Sequence, residues 1–179
     1  MWALVESGSV SKVFTRPKQL TLGNVQYPAN IFELWSASEL EAIGIYAIVE
    51  DSTNRKDTDY YINTNKTYTF ASGTVTASYG TATAQDLTEV KTRKKGIIND
   101  QANSKLSDYD WYTLRAASGG TAVPSTITTY QAAVRTKANT MCTAIDNASD
   151  VDAIAALYVY NSDDPPVRPL GEWPEEPTV

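Results

Sequence analysis

Residues 109–135 read YDWYTLRAASGGTAVPSTITTYQAAVR, and this stretch decides how the second half of the chain folds. A short run that contains Trp111 and Arg115 stops at Gly119-Gly120, and glycine is the residue that most often follows the end of a helix. Pro124 then precedes a longer periodic run, and proline is tolerated in the first turn of a helix. The stretch therefore predicts a helix–turn–helix unit.

Further helices are predicted on both sides of this unit. Apolar residues recur at helical spacing from Leu87 to Leu106 and again from Ile127 to Ile145, which predicts two long helices around the short one. Ser149, with Asp152 three residues later, predicts the cap of a fourth helix. The segment 158–160 is expected to be a closing strand or an extended piece.

Before residue 82 the pattern changes to short runs that predict a small antiparallel β module. The turn residues Ser7-Gly8 and Gly23-Asn24 each separate two apolar runs, as is typical of β-hairpins. Ser36 and Glu39 form a capping-box pattern, so we expect one short helix there that ends at Gly44. Runs rich in threonine and tyrosine then predict further strands.

These patterns predict an α+β protein in three parts. A strand-rich module covers residues 1–82, a helical module covers 83–160, and an extended, acidic, proline-rich tail covers 161–179. Such a tail is disordered by itself and becomes ordered only where it is tied down. Leu170 and Trp173 are the expected anchors, and another chain of a larger assembly is the surface on which we expect them to dock.

The composition limits the chemistry that is available. The chain has no histidine and one cysteine, Cys142, so it lacks the usual general base and cannot form an internal disulfide. The net charge of −6 argues against nucleic-acid binding. The basic cluster of residues 91–95 is interpreted as a solvated helix face rather than a phosphate or lipid site. No apolar run approaches the ~20 residues that span a bilayer, and no secretion signal is visible, so we expect a soluble protein.

No motif for catalysis or metal binding is recognisable, so we expect no enzymatic activity, no metal and no cofactor. A glycosidase-like carboxylate pair would need two acids about 5–9 Å apart, which sequence cannot place. The candidates for such a pair are Glu33, Glu39, Glu41, Asp57 and Asp59. Asp57 and Asp59 could also hold calcium, but no full ligand set follows them.

The aromatic and arginine residues leave alternatives open. Trp35 and Tyr61 belong either to a sugar-binding platform or to ordinary core and cross-strand packing. Trp111 is expected to be largely buried between helices, and the alternative is an anchor that faces a partner. Arg115 and Arg135 are either helix-surface pairs or anchors of a protein interface.

The order of residues in the opening stretch resembles the C-terminal part of phage tail-fibre assembly proteins. The matching places cover about a sixth of the chain: Asp110-Trp111, Arg115-Ala116, Gly119-Gly120, Val123-Pro124, Ile127, Tyr130 and Val134-Arg135. The layout of the whole chain is also similar to that of bacteriophage virion and tail proteins. The resembling segments are MWALVESGSV (1–10), YPANIFELWSASELEAIGIY (27–46), YYINTNKTYTFASGTVTASYGTATA (60–84) and SDVDAIAALYVY (149–160).

The resemblance implies a non-enzymatic structural protein of the phage tail or tail fibre, made in the host cytoplasm and present in the virion. Its implied partners are other phage tail or fibre proteins, in a symmetric homo-oligomer or multi-copy assembly, with no nucleic acid and no membrane. One alternative is a tail-fibre assembly chaperone, although those proteins usually have a differently built N-terminal half. A second alternative is a host-attachment module that binds carbohydrate through Trp35 and Tyr61.

Overall fold

The computed structural model describes residues 1–178 and confirms the α+β class. The chain forms two compact units, of which the first spans Met1–Thr83 and the second begins at Ala84. The first unit contains the strands and two short helices. The second contains four helices, and the proline-rich tail belongs to it.

Nine strands are found in the described chain. They are β1 (Trp2–Glu6), β2 (Ser9–Phe14), β3 (Leu20–Leu22), β4 (Val25–Tyr27), β5 (Ile45–Asp51), β6 (Tyr61–Ile62), β7 (Lys66–Ala71), β8 (Thr74–Tyr79) and β9 (Thr83–Ala84). Five of them form one sheet in the order β2-β1-β5-β8-β7, and β3–β4 and β6–β9 form two-stranded sheets. The predicted hairpins β1–β2 and β3–β4 are both antiparallel, which confirms them.

The main sheet is mixed, whereas an antiparallel module was expected. β5 pairs with β8 in parallel, from Ile48 opposite Val75 to Asp51 opposite Ser78. A parallel pair needs a long crossover, and residues 52–73 provide one between these two strands. The other three pairs of the sheet are antiparallel.

Two tight turns fix the register of the hairpins in this sheet. Ser7 and Gly8 have φ angles of 50° and 77°, and Ser72 and Gly73 have 50° and 76°. Two successive positive φ angles define the type I′ turn, whose twist matches that of the strands it joins. The turn chemistry therefore sets which faces of β1, β2, β7 and β8 are buried.

Two short helices cover the core of unit 1, where one was predicted. α1 (Ile31–Leu34) precedes α2 (Ala37–Ala42), and the extended backbone of Trp35 separates them. The capping box is present: Ser36 N–H donates to the Glu39 carboxylate at 2.8 Å. The buried cluster beneath comprises Leu4, Phe14, Leu20, Ile31, Phe32, Leu40 and Ile45.

Gly44 ends α2 and also lets two parts of unit 1 approach. Its φ is 81°, a conformation that favours glycine. A Cβ atom at this position would lie 2.9 Å from the carbonyl oxygen of Val5. The glycine therefore permits both the turn and the close contact with β1.

Unit 2 contains the four predicted helices, α3 (Leu87–Ser107), α4 (Asp110–Ala117), α5 (Ser125–Asn147) and α6 (Val151–Ala156). The core lies between α3 and α5 and comprises Ile98, Ala102, Tyr130, Val134, Ala138, Met141, Ile145 and Leu170. Asp150, rather than Ser149, caps α6, since its carboxylate accepts the N–H of Ala153 at 2.8 Å. Residues 158–160 form a turn and an extended piece, not a strand.

The tail packs against the helices of its own unit. Leu170 is 4% exposed, and its N–H donates to the carbonyl of Leu157 at 3.0 Å. The indole Nε1 of Trp173 donates to Gln101 at 3.1 Å, and Glu176 pairs with Lys105. Leu170 and Trp173 therefore anchor the tail as expected, but on their own unit, because the α3–α5 core takes up the Leu170 side chain. Contact of these residues with another chain stays a prediction.

Candidate docking site

α4 is a helix without a buried residue. Trp111 is 50% exposed and Leu114 is 68% exposed. Because residues three apart lie on the same side of a helix, the two side chains share one face. The prediction that Trp111 is largely buried is wrong. The core-facing position is occupied instead by Tyr109, whose ring meets that of Tyr130 edge-on at 5.3 Å.

Arg115 lies against two aromatic rings on the same helix. Its guanidinium carbon is 4.7 Å from the ring centre of Trp111 and 5.1 Å from that of Tyr112. A cation at this distance from an aromatic face is attracted by the ring quadrupole. Trp111, Tyr112, Leu114 and Arg115 are called the α4 surface from here on.

The double glycine leaves room for the Arg115 side chain in this position. Gly119 ends α4 with a φ of 82°. The N–H of Gly120 donates to the carbonyl of Arg115 at 3.0 Å, and a Cβ on Gly120 would lie 2.8 Å from Arg115 Cγ. Gly119 adopts the positive φ that ends the helix, and Gly120 has no side chain that would clash with the Arg115 stem.

The Nε atom of Arg115 is buried and has no hydrogen-bond partner within residues 1–178. A buried donor without an acceptor costs about 1–3 kcal/mol relative to a satisfied one. In the described chain, the Arg115 guanidinium contacts the rings of Trp111 and Tyr112. The α4 surface thus contains a cation whose Nε–H makes no hydrogen bond in the described chain.

The structure separates the predicted interface residues into three groups. Trp111 and Arg115 are in contact on α4, whereas Arg135 is exposed on α5. Leu170 and Trp173 pack on their own unit, as described above. The sequence analysis did not identify Tyr112 and Leu114 as parts of a site. The three-residue spacing of Trp111 and Leu114 on a short helix could have indicated a shared face.

The two predicted sugar-facing residues are engaged within unit 1. The ring of Trp35 is half-buried and meets Tyr27 edge-on, with centroids 5.8 Å apart. The Lys56 ammonium lies over the ring of Tyr61 at 4.1 Å. Sugar platforms use open aromatic faces, and each of these rings already contacts a neighbour. Carbohydrate binding by Trp35 and Tyr61 stays a prediction.

Two of the carboxylates considered for chemistry, Asp57 and Glu39, have local structural partners. Asp57 accepts the N–H of Asp59 at 2.8 Å, which shapes the loop before β6. The Ser36 hydroxyl and N–H both donate to Glu39 and hold the pKa of that carboxyl below its usual value. Within residues 1–178, no group of three or more acidic or cysteine side chains is placed to hold a metal ion.

The basic cluster of α3 makes specific contacts within unit 2, so its interpretation as a merely solvated face is incomplete. The ammonium of Lys91 donates to the carbonyl of Asp146 at 2.9 Å, and Lys95 pairs with the carboxylate of that residue at 2.7 Å. Asp146 lies in the last turn of α5, where the helix dipole favours cations. Lys94 is 7% exposed and lies 5.0 Å from the ring of Tyr158.

The α4 surface combines the side chains that most often dominate protein–protein interfaces, which are tryptophan, tyrosine and arginine. No family model matches the chain, and no curated protein or solved structure matches it either. Among the described helices, none is both long enough and apolar enough to cross a bilayer. The α4 surface is therefore the candidate docking site of the described chain.

Proposed function

We propose that this protein is a non-enzymatic structural component of a phage tail or tail fibre, and that it docks on a partner through the α4 surface. The observation that carries the proposal is a helix with no buried residue, on which Trp111 and Leu114 are exposed and Arg115 lies against the Trp111 ring. Exposing large apolar side chains on one face is a common property of interaction sites.

The phage setting rests on the resemblance of residues 109–135. Two residues of the resemblance, Trp111 and Arg115, also belong to the α4 surface. Asp110-Trp111 and Arg115-Ala116 lie on α4, and Gly120 leaves room for the arginine stem. The likeness and the geometry therefore point to the same surface, which supports a role in tail or fibre assembly.

The α4 surface is the anchor of a wider contact rather than a whole interface. A stable protein–protein interface covers about 800 Å² on each partner, more than one short helix face provides. Neighbouring parts of unit 2 therefore join it when the protein docks. The proposed partners are other tail or fibre proteins, in a symmetric multi-copy assembly within the virion.

The proposal is tested by mass spectrometry of purified phage particles. The wild-type chain is expected in the particles, and the double variant Trp111→Ala/Leu114→Ala is expected to be depleted from them. The matched control is Leu34→Ala, which removes an exposed apolar side chain from unit 1, where Leu34 is 74% exposed. Particles that lack the wild-type chain would contradict a virion component.

A fibre-assembly chaperone is the second candidate, because the α4 surface lies in the stretch that resembles such proteins. A chaperone would be absent from finished particles but would raise the yield of soluble fibre when the two are co-expressed. The double variant should then lose this rescue and Leu34→Ala should keep it. Unchanged fibre solubility with and without the wild-type chain would exclude this role.

A further inference from the structure

We infer that the α4 surface takes a partner segment that carries a carboxylate next to an apolar side chain. The carboxylate pairs with Arg115, and the apolar group lies against Trp111 and Leu114. This inference rests on the proposed function, since it names the partner chemistry of the same surface.

The first argument is that Arg115 has no acidic partner, whereas three other cations of unit 2 have one. Lys95 pairs with Asp146 at 2.7 Å, Lys105 pairs with Glu176 at 3.3 Å, and Arg168 pairs with Glu172 at 2.8 Å. Within residues 1–178 no ion pair of Arg115 is found, although acidic residues outnumber basic ones by 21 to 15 in the chain. Arg135 and Lys137 of α5 also lack an ion pair in the described chain, so what distinguishes Arg115 is that its free charge lies against two aromatic rings.

The second argument is that the contact of Arg115 with two aromatic rings does not use the hydrogen-bond donors of its guanidinium. Stacking on an aromatic face leaves the hydrogens at the edge of the guanidinium plane free for bonding. Nε is covered, so the terminal nitrogens Nη1 and Nη2 are the donors that a partner would use. Two parallel bonds from these atoms fit a carboxylate, and such charge-assisted pairs are about twice as strong as neutral hydrogen bonds.

The third argument is that the surroundings favour a carboxylate over a phosphate. Asp108 follows the end of α3, Asp110 begins α4, and the net charge of the chain is −6. A singly charged group meets less repulsion there than a doubly charged phosphate or a nucleic-acid backbone. The exposed Trp111 and Leu114 beside the cation in turn require an apolar group on the partner.

Small probes test this chemistry on the intact chain. Phenylacetate joins one ring to one carboxylate, phenylacetamide is its neutral match, and phenyl phosphate is the doubly charged alternative. The NMR signals of Arg115 Nε–H and of the Trp111 indole N–H report binding. Phenylacetate should bind with a dissociation constant of the order of millimolar, at least about five-fold more tightly than the amide. In the Arg115→Gln variant the two should bind equally.

Three results would overturn the inference. They are equal binding of phenylacetate and phenylacetamide to the wild type, tighter binding of phenyl phosphate than of phenylacetate, and no shift of either signal with any probe. Circular dichroism of Arg115→Gln checks that the helices are retained, and Arg115→Lys, which keeps the charge but not the planar fork, should show an intermediate preference.

A second experiment separates this inference from the proposed function. The chain is co-expressed with the tail and fibre proteins of the same phage, and the affinity of the purified complex is measured. Arg115→Gln should weaken it about ten-fold. If Arg115→Gln binds like the wild type while Trp111→Ala/Leu114→Ala does not, that result would contradict the inferred partner carboxylate but would still support docking through the α4 surface. If the double variant also binds like the wild type, or if no tail or fibre protein binds, the docking proposal itself is wrong.

Discussion

The N–H of Gly120 donates to the carbonyl of Arg115 at 3.0 Å, and a Cβ atom on this glycine would lie 2.8 Å from Arg115 Cγ. The turn after α4 therefore closes directly over the stem of the arginine. The room for the arginine stem therefore depends on the absence of a side chain at residue 120.

Gly120→Ala should displace Arg115 from the two rings, because real Cβ atoms almost never come within 3.0 Å of another heavy atom. We expect altered Arg115 Nε–H and Trp111 indole NMR signals and weaker docking, with a stability loss of about 1 kcal/mol in urea unfolding. Gly73→Ala is a control, because it strains a turn in unit 1 without touching α4. Unchanged Arg115 signals in Gly120→Ala would show that the turn does not fix the arginine.

Gly96→Ala should stabilise unit 2. Gly96 lies inside α3, and a Cβ atom there would meet no atom within 4 Å. Alanine is favoured over glycine within a helix by up to about 1 kcal/mol, so the free energy of unfolding should rise by that order. Gly80→Ala is the comparison and should not stabilise the protein. Gly80 lies outside a helix, and a Cβ atom there would lie 3.3 Å from the Thr64 side chain. A fall in stability of Gly96→Ala would contradict the open surroundings of this glycine.

Trp111→Ala should change stability little, because half of the side chain is exposed. We expect a loss of about 1 kcal/mol or less in thermal or urea unfolding. Met141→Ala is the comparison, since Met141 is 1% exposed in the α3–α5 core and should cost about 2–5 kcal/mol. A loss of more than about 3 kcal/mol for Trp111→Ala would indicate a core residue rather than a docking residue.

Leu170→Ala should destabilise unit 2 by about 2–5 kcal/mol, because a 4% exposed leucine is removed from the helical core. The tail should then become more accessible to proteases and hydrogen exchange. Val167→Ala is the matched control, as it is 49% exposed in the same tail and should change stability by less than about 0.5 kcal/mol. Equal stability of the two variants would contradict intramolecular docking of the tail.

Stability should fall in acid partly through Asp150. The N–H of Ala153 and the hydroxyl of Ser149 both donate to this carboxylate and hold its pKa below the usual value. A carboxylate with a lowered folded-state pKa adds stability above its unfolded pKa near 4, and this contribution is lost as pH falls through the folded value. In urea unfolding at several pH values, Asp150→Asn should keep the cap and show a smaller acid loss. An identical pH profile for the variant would exclude this contribution.

Local signals predicted most of the elements. Ser7-Gly8 and Gly23-Asn24 mark hairpins because turn conformations are determined by two residues, and Ser36 with Glu39 marks the start of α2 because the capping box is local. The parallel pairing of β5 with β8 was not predicted, since it joins strands that are distant in the chain and no nearby residue specifies the partner.

The errors at the site have the same origin. The exposure of Trp111 depends on Tyr109 occupying the position against Tyr130, and helical spacing alone does not distinguish these two aromatic residues. The intramolecular docking of Leu170 depends on a gap between α3 and α5 that no periodicity in a proline-rich segment reveals. The contact of Arg115 with its rings followed from neither composition nor charge.

The position of Leu170 in the core also affects how unit 2 is made. Helices α3 to α6 emerge from the ribosome before this leucine does, so their shared apolar groove stays open during that interval. The unit closes only when residue 170 has been synthesised and released. A chain interrupted earlier presents an unfilled apolar groove to chaperones and proteases, so incomplete copies are exposed to removal.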